Sequence, residues 1–470
     1  MKIAAVFPPY THKIFAENLK VVDNYFGKFQ PLNLLYAAAY MKKAGHDVIV
    51  VDANAERLSP DSCLKRLREF SPDVLCFNLS TYMFHDTLKW IRIMKEATGL
   101  PVLVGGINLR LYPEETMSHT EIDYAVTDEA DPALPLLLEA IGGGASPEGI
   151  QGIAYREGGE VRITRAAAAK LDFDKFPFPA RELIDNSLYY EHISQRRNFT
   201  IALAATGCPY NCRFCAVPEK PYSLRSVENV VGEIDECHKR YGIREIDYFD
   251  AVFTTNRNWI MRFCEEVSAG GYGVAWSCRA RADNLNAEMT AAMSRAGCKR
   301  IYIGIESGRE EILNNVNKKL TIGKVREAIR LCRGSSIRPL GFFMIGNPGE
   351  TRETAMNTIR FARSLGLDYA QFSRTIAKPF SQLDKELAER NGRNYWKEYI
   401  LGAEPEKRLP TPWTNMSERE IERLTRLAYL AFYFRPGYIL KMLMKVKSLG
   451  ELRRYAKVAL MMLFHGSEAG

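Results

Sequence analysis

The sequence lacks any long hydrophobic run. No apolar stretch in its 470 residues approaches the ~20 residues that a membrane-spanning helix needs, and the longest one near the C-terminal end covers residues 427–434. The apolar start of the chain is ended by Pro8 and Pro9, too soon for the hydrophobic core of a secretion signal. These absences predict a cytoplasmic protein.

Cysteine is also sparse. The chain has ten cysteines in 470 residues, and apart from one group of three they stand singly. Secreted domains that depend on disulfides are short and dense in cysteine, so this pattern predicts reduced thiols and no disulfide framework. Single cysteines of this kind are usually small buried side chains. The group of three needs a different explanation.

Cys208, Cys212 and Cys215 form this group, in a C-x3-C-x2-C spacing directly after an apolar run. A [4Fe–4S] cluster is held by cysteine thiolates, usually four, so three local cysteines leave one iron open to another ligand. A zinc site is the alternative, and its fourth ligand would come from Cys237 or His238. Closed zinc sites usually present two separated pairs of cysteines, so the spacing favours the cluster.

Phe214 lies between the last two cysteines, and the motif as a whole resembles that of the radical SAM (S-adenosylmethionine) enzymes. The resemblance implies that the amino and carboxylate groups of SAM bind the open iron. It implies that an electron from the cluster then cleaves SAM to a 5′-deoxyadenosyl radical, while the protein positions the cofactor. It further implies an external electron donor of the flavodoxin or ferredoxin type, and packing of Phe214 against the adenine.

Residues 199–385 alternate apolar runs with helical patterns in six strand–helix units. This alternation predicts a partial (β/α)6 barrel of the TIM type, whose active site lies at the carboxyl ends of the strands. Several residues near those strand ends resemble SAM-contacting positions of the family. They are Asp250, Arg279, Arg281, Glu306, Ser307, Gly341, Ile345 and Asn347. Each of them also has a structural interpretation, as a turn or helix-capping residue.

The resemblance implies a distinct role for each of these positions. Either Arg279 or Arg281 is expected to pair with the SAM carboxylate through its planar guanidinium group. Glu306 and Ser307 are expected near the ribose or the amino group of SAM. Residues 341–350 resemble the family's fifth-strand motif, whose backbone is expected near the adenine. Asp250 stands where family members often have two acids, of which this sequence keeps one.

Residues 1–141 also alternate continuous apolar runs with helical patterns, which predicts a flavodoxin-like or Rossmann-like parallel sheet covered by helices on both faces. Ligands of such sheets bind beyond the carboxyl ends of the strands. Three predicted loops lie at those ends. They contain Pro8, Pro9 and Tyr10; Ser80 and Thr81; and Gly105, Gly106 and Asn108. Taken alone, these loops indicate either a nucleotide-like ligand or ordinary turns.

The order of these pieces resembles the cobalamin-binding domain that precedes many radical SAM domains. Matching features include Leu32 at the start of the first helix, the paired glycines after the fourth strand, and Glu129 after the fifth. The resemblance implies that these residues and the three loops bind cobalamin. The D-x-H-x-x-G motif, whose histidine binds cobalt in some cobalamin proteins, is absent. We therefore expect a lower axial position that is empty, filled by water or occupied by a residue other than histidine.

Two further regions complete the predicted domain organisation. Residues 142–198 are predicted as a linker, because glycines and prolines break the helical pattern. Residues 386–470 are predicted as a helical, basic and aromatic region; residues 421–466 hold nine Lys or Arg and two Glu, in a chain of net charge +8. We interpret this region as a helical cap over the open barrel. The alternative is an amphipathic surface that contacts anionic lipid or delivers an apolar substrate.

The resemblance to cobalamin-dependent radical SAM enzymes extends over nearly the whole chain. It predicts an enzyme with a [4Fe–4S] cluster, SAM and cobalamin, which transfers a methyl group to an unactivated carbon without a general base. The apolar C-terminal region favours a lipid, isoprenoid or tetrapyrrole substrate. No nucleic-acid-binding module is recognisable. Two alternatives stay open: a cobalamin-assisted cyclase of the anaerobic porphyrin type, and a non-catalytic cobalamin or SAM sensor.

Overall fold

The structure of the chain, a computed structural model, describes residues 1–10, 27–128, 130–164, 172–194, 196–217, 222–403, 409–445 and 453. The chain divides into two compact units. Of the described residues, the first unit contains 1–10, 28–128, 130–164, 172–189 and 392–403, and the second contains 27, 190–194, 196–217, 222–391, 409–445 and 453. Within the described residues, no helix is both long and apolar enough to cross a membrane.

A seven-stranded sheet forms the centre of the first unit. Its strands are β1 (Lys2–Phe7), β2 (Asp47–Asp52), β3 (Val74–Asn78), β4 (Val102–Gly105), β5 (Tyr124–Val126), β6 (Ile153–Glu157) and β7 (Glu160–Ile163). The spatial order is β2-β1-β3-β4-β5-β6-β7, with parallel pairing from β2 to β5 and antiparallel pairing beyond. The predicted parallel sheet is confirmed.

Helices follow most of these strands. They are α1 (Leu32–Lys43), α2 (Ala53–Glu56), α3 (Pro60–Phe70), α4 (Phe84–Thr98), α5 (Ile107–Leu111), α6 (Pro113–Met117) and α7 (Ala130–Gly143). The interior of β1, from Ile3 to Val6, is fully buried, as continuous apolar strands in a doubly covered sheet are. Leu34, Leu35 and Ala38 of α1 join the same core.

The hairpin of β6 and β7 differs from the sequence interpretation of residues 142–198 as a spacer. Val126 of β5 pairs with Ile153 of β6, so this segment extends the first sheet at its edge. Ile153, Ala154 and Tyr155 are buried in the sheet, and Gly158 turns the chain with φ 59°. The strands are short and lie next to glycines, which is why the pattern favoured a linker.

A six-stranded parallel sheet forms the second unit and curls into a partial barrel. Its strands follow one another in chain order: β8 (Phe199–Ala202), β9 (Glu245–Tyr248), β10 (Ala275–Ala280), β11 (Cys298–Glu306), β12 (Arg338–Ile345) and β13 (Tyr369–Arg374). All five neighbouring pairs are parallel. The six predicted strand–helix units are confirmed.

Most of the helices described in this barrel start at a side-chain cap. In chain order they are α8 (Val227–Tyr241), α9 (Arg257–Gly270), α10 (Ala287–Arg295), α11 (Glu310–Asn315), α12 (Ile322–Gly334), α13 (Arg352–Ser364) and α14 (Gln382–Asn391). Ser226 caps α8 by accepting a hydrogen bond from the backbone N–H of Asn229. Asn256, Asn286 and Thr321 cap α9, α10 and α12 in the same way.

The C-terminal region contributes to both units. Helix α15 (Tyr395–Ile400) belongs to the first unit, whereas α16 (Glu418–Tyr433) and α17 (Pro436–Lys445) belong to the second. Tyr429 and Phe432 of α16 are buried in the core of the barrel unit, and the Tyr429 hydroxyl accepts a hydrogen bond from Phe372 N in β13. Helix α17 begins at Pro436, which separates it from α16.

Candidate active site

The cysteine motif forms a loop directly after β8. Cys208, Cys212 and Cys215 are all partly exposed and form no disulfide. Backbone hydrogen bonds fix the loop: Cys215 N donates to Cys212 O within it at 3.0 Å, and Arg213 N donates to Val316 O, just after α11, at 3.1 Å. Burial raises the pKa of all three thiols, so a bound cation is needed to hold them as thiolates at neutral pH.

Neither of the two predicted fourth ligands of a zinc ion, both of which the structure describes, is available to the cysteine loop. Cys237 lies fully buried in the hydrophobic core of the barrel unit, and His238 is within 3.0 Å of the Arg244 guanidinium group. Across the described part of the chain, no three Cys, His, Asp or Glu side chains converge on one metal ion. An iron–sulfur cube is bound differently, because each cysteine binds a separate iron and the three sulfur atoms stay apart. The donor set therefore fits a cluster with one open iron.

Asp250, just beyond β9, braces the backbone that enters the cysteine loop. Its carboxylate accepts hydrogen bonds from Ala204 N, at 3.1 Å, and from Ala205 N. The side chain is 2% exposed, and this burial raises the pKa of Asp250 to about 7 in spite of the two backbone donors. The hydrogen-bonded partners of Asp250 are thus backbone groups of this chain.

Glu306, at the end of β11, forms a buried ion pair with Lys318. The Lys318 Nζ atom lies 3.0 Å from Glu306 Oε1, and both side chains are 8% exposed. Glu306 has a φ of 66°, and the register of β11 on β12 shifts just before it. Burial lowers the pKa of Lys318, but Glu306 and the Cys212 thiolate outweigh this effect and raise it. A cation and an anion thus meet beside the cysteine loop.

Sequence reasoning missed Lys318. Lys318 and Lys319 are adjacent lysines in a polar segment, and only the fold separates the buried one from the exposed one. The signal available in the sequence is the apolar pattern of its neighbours, Val316 and Leu320, which places position 318 on their side of the chain. Arg281 lies next to it, because the Arg281 Nη2 atom donates to Lys318 O at 2.8 Å.

The two predicted arginines have different surroundings. Arg281 stacks on the ring of Tyr210 in the cysteine loop, 4.1 Å from its centroid, and pairs with Asp283. Arg279 points into the barrel, where it pairs with Asp247 at 2.7 Å and stacks on the ring of Phe249. Of the two, only Arg281 is placed beside the cysteine loop. This geometry favours Arg281 as the partner of a bound carboxylate.

The residues predicted around the end of β12 are packed against their neighbours. A methyl group on Gly341 would come within 2.8 Å of Leu367 and 2.9 Å of Phe343, so the strand needs glycine at that position. Ile345 and Asn347 are fully buried, and the Asn347 amide donates to Met344 O and accepts from Thr375 Oγ1. Ser307 is buried against Thr358, whereas Phe214 is partly exposed in the cysteine loop.

Two of the predicted cobalamin loops contain buried polar atoms without partners. Thr81 Oγ1 and Asn108 Oδ1 are buried and have no hydrogen-bond partner, while the Asn108 amide nitrogen donates to Thr116. Gly106 has a φ of 115°, and a methyl group there would lie 2.6 Å from both Asn78 Oδ1 and Leu79 O. Unsatisfied buried polar atoms are costly, so their presence at this edge fits a polar ligand.

The other predicted cobalamin residues lie in the same unit. Pro8, Pro9 and Tyr10 follow β1, and Ser80 follows β3. Gly105 is the last residue of β4, and Leu32, which is 8% exposed, is the first residue of α1. Tyr10 is 39% exposed, with its ring edge against Phe7. Glu129 lies outside the described residues. The loops after β1, β3 and β4 are thus at the carboxyl ends of parallel strands, as expected.

Comparison with known proteins identifies the family. Residues 204–362 match the radical SAM superfamily, and residues 19–138 match the B12 binding domain. An uncharacterized methyltransferase from Pyrococcus horikoshii is 31% identical over 450 residues, which cover 94% of each chain. The chain belongs to the cobalamin-binding radical SAM family. The resemblance read from the cysteine motif and the glycine loops is confirmed, and the chain is a cobalamin-dependent radical SAM enzyme.

Two further proteins are similar over most of this chain. The anaerobic magnesium-protoporphyrin IX monomethyl ester cyclase of Rubrivivax gelatinosus is 28% identical over 375 residues, covering 77% of this chain and 67% of the cyclase. The radical SAM methyltransferase TsrM from Kitasatospora setae, solved with cobalamin and a [4Fe–4S] cluster, superposes with a TM-score of 0.66. That superposition covers 83% of this chain and 75% of TsrM at 20% identity, which establishes the common fold.

Proposed function

We propose that this radical SAM enzyme transfers a methyl group to an unactivated carbon of an apolar small molecule. The observation that carries the proposal is the similarity along the whole chain to a protein described as a methyltransferase, 31% identical over 94% of both chains. When bound, the cluster and SAM supply a radical that abstracts hydrogen, and cobalamin supplies the methyl group. The residues described above would hold and orient these groups.

The cysteine loop and the neighbouring ion pair would divide the binding of SAM between them. Cys208, Cys212 and Cys215 would hold three irons of the cluster. The buried ammonium of Lys318 and the guanidinium of Arg281 are suited to the carboxylate of SAM, and the carboxylate of Glu306 to its amino group. Opposite charges placed at fixed positions would orient a zwitterionic ligand in one direction only.

Cobalamin would bind at the loops after β1, β3 and β4, with no histidine below the cobalt. The histidines of the described first unit have other partners: His85 contacts Tyr399 O at 2.6 Å, His119 contacts Ile400 O at 2.7 Å, and His46 lies 3.5 Å from the chain's amino terminus. The EPR spectrum of the reduced, cobalamin-loaded protein tests this point. Nitrogen coupling to the cobalt from a protein ligand would contradict it.

Methyl transfer and cyclisation make different predictions for labelled SAM. With methyl-deuterated SAM and a reducing system of the flavodoxin or ferredoxin type, methyl transfer places the label in the product. Cyclisation, which the similarity to the magnesium-protoporphyrin cyclase supports, yields deoxyadenosine and an unlabelled product. Unlabelled product with continued release of deoxyadenosine would therefore exclude methyl transfer. A tetrapyrrole, an isoprenoid and a lipid are the three substrate classes to supply.

Peripheral membrane contact through residues 421–466 belongs to the same proposal. The core-facing side of α16 is buried, so the contact would use the exposed face of α17, with Ile439 42%, Leu440 60%, Leu443 51% and Met444 74% exposed. From residue 446 onward this range lies outside the described residues, apart from Arg453. Flotation with anionic vesicles tests the contact. Leu440→Glu should abolish flotation, and Leu427→Glu on α16 should retain it.

A further inference from the structure

A segment of the C-terminal region is bonded to the turn that follows β12. This segment, residues 409–421, is here called the strap, and the turn comprises residues 346–350. The indole nitrogen of Trp413 donates to Gly346 O at 2.8 Å, and Gly349 N donates to Trp413 O at 2.8 Å. The hydroxyl of Thr414 donates to Glu350 O at 2.6 Å. Three hydrogen bonds thus link the strap to a turn more than 60 positions earlier in the chain.

Apolar packing seals the same contact. Gly346 has a φ of 91°, and a methyl group there would come within 3.0 Å of the Ile421 side chain. Ile421 is 1% exposed and packs in a small cluster with Ile345, Ala355 and Met416. Since Gly346 is itself buried, its carbonyl has no access to bulk water that could replace the indole N–H.

The turn is also held from its inner side. Glu350 Oε2 accepts hydrogen bonds from Gly346 N at 2.6 Å and from Asn347 N at 3.1 Å. The side chain of Asn347 is fixed by Thr375 Oγ1 at 3.0 Å. Burial raises the pKa of Glu350 to about 7 in spite of these two backbone donors, whereas the hydrogen bonds from the strap join neutral groups. The N–H of Gly346 is therefore fixed within the turn, by Glu350, and its carbonyl is fixed from a distant part of the chain, by Trp413 of the strap.

We infer that the strap is a positioning element for SAM, acting through Trp413 and Thr414 on the backbone turn 346–350. The inference rests on the proposed function and on the resemblance of residues 341–350 to the family's fifth-strand motif, whose backbone is expected near the adenine. A backbone that recognises a base must hold its N–H and C=O groups in place before the ligand arrives, because ordering them on binding would cost affinity. The C-terminal region then takes part in cofactor binding and does not merely cover the barrel.

Trp413→Phe tests the inference, because it removes the indole N–H while keeping an aromatic ring. Trp259→Phe is the matched control: the indole of Trp259 also donates to a backbone carbonyl, Arg225 O at 2.7 Å, but lies on α9, away from the turn. Both variants are prepared as full-length, anaerobically reconstituted protein. We expect Trp413→Phe to bind SAM about tenfold more weakly than the wild type in equilibrium dialysis, with unchanged iron and sulfide content. Trp259→Phe should stay within twofold.

A second measurement separates positioning from general stability. Hydrogen exchange of the cofactor-free protein should accelerate at Gly346 and Asn347 in Trp413→Phe and not in Trp259→Phe. In SAM cleavage assays the KM for SAM should rise while kcat is retained. Thr414→Val is expected to reproduce these effects, and it replaces Trp413→Phe if that variant does not fold.

Two results would overturn the inference. If the exchange accelerates but the affinity for SAM stays that of the wild type, the strap only stabilises the fold. If neither changes, the strap does not fix the turn. Failure of the proposed methyl transfer looks different, because the wild-type protein would then still bind SAM and release deoxyadenosine while its product stayed unlabelled, and the inference would stand. If the wild-type protein bound no SAM, the inference would fall.

Discussion

Asp250 offers a direct test of how the cysteine loop is held. Its buried carboxylate accepts hydrogen bonds from Ala204 N and Ala205 N, where the chain leaves β8 for the cysteines. Asp250→Ala removes the acceptor and leaves two buried backbone N–H groups without a partner, at a cost of about 1–3 kcal/mol each. Asp250→Asn keeps an oxygen acceptor and removes the charge. Comparing the two substitutions therefore separates the effect of the hydrogen bonds on stability from the effect of the ionisation of Asp250.

The effect of pH follows from the direction of the pKa shift. Burial raises the pKa of Asp250 from 3.8 to about 7, so the folded protein keeps this proton over a range in which the unfolded chain has lost it. The associated stability is fully present below pH 3.8 and is lost as the pH rises through about 7. Three pKa units correspond to about 4 kcal/mol, which is an upper bound for a partly relaxing site. Asp250→Asn has no such dependence.

Denaturant unfolding of the cofactor-free protein at pH 5 and pH 8 measures this difference. The wild type should lose stability between the two values relative to Asp250→Asn, while Asp61→Asn, at an exposed carboxyl in α3, should follow the wild type. Asp250→Ala should be the least stable and should take up less iron on reconstitution. If the wild type and Asp250→Asn change in parallel with pH, and Asp250→Ala binds a full cluster, then Asp250 does not brace the loop.

Two further predictions concern the two proposed cofactor sites. Gly106→Ala should abolish binding of hydroxocobalamin, followed by its visible spectrum, because the added methyl group would collide with Asn78 Oδ1 and Leu79 O. Gly143→Ala, at the end of α7 and outside the predicted loops, adds a methyl group that meets nothing within 4 Å and should bind as the wild type does. Equal binding by both variants would refute the site. Lys318→Met should weaken SAM binding at least tenfold, because it leaves the buried Glu306 carboxylate unpaired and removes a cation from the carboxylate of SAM. Lys319→Met, at the exposed neighbour, is the control, and an equal loss in both variants would contradict the assignment.

The strands were predictable because they are buried on both faces. A strand such as β1 reads as an unbroken apolar run, and the helices between the strands keep their 3.6-residue period. The cysteine motif was readable for a different reason: its ligands are close in sequence, so their spacing alone carries the chemistry. Both patterns involve residues that are close together in the chain, so they can be recognised in a single sequence.

The features that were not predictable depend on contacts between distant segments. Lys318 is distinguished from Lys319 only by burial against Glu306, and Asp250 is distinguished from a capping residue only by its two backbone partners. The hairpin of β6 and β7 becomes visible only when its pairing with β5 is known. Arg279 and Arg281 look equivalent in the sequence, yet one lies in the barrel interior and the other beside the cysteine loop.

The C-terminal region has a comparable role in both units, although its helices looked like a single cap. In the first unit, the last carbonyls of α15 accept hydrogen bonds from His85 and His119, and Trp396 packs edge-on against Tyr82, at 5.0 Å between ring centroids. The carbonyl groups at the end of a helix have no hydrogen-bond partner within it. Here the imidazoles of His85 and His119 supply the missing donors for two of them. Tyr82 directly follows the predicted cobalamin residues Ser80 and Thr81. In the second unit, the strap supports the turn that we assign to SAM. One region therefore supports a proposed cofactor loop in each unit, and removing it should impair the binding of both cofactors while the cysteine loop remains in the chain.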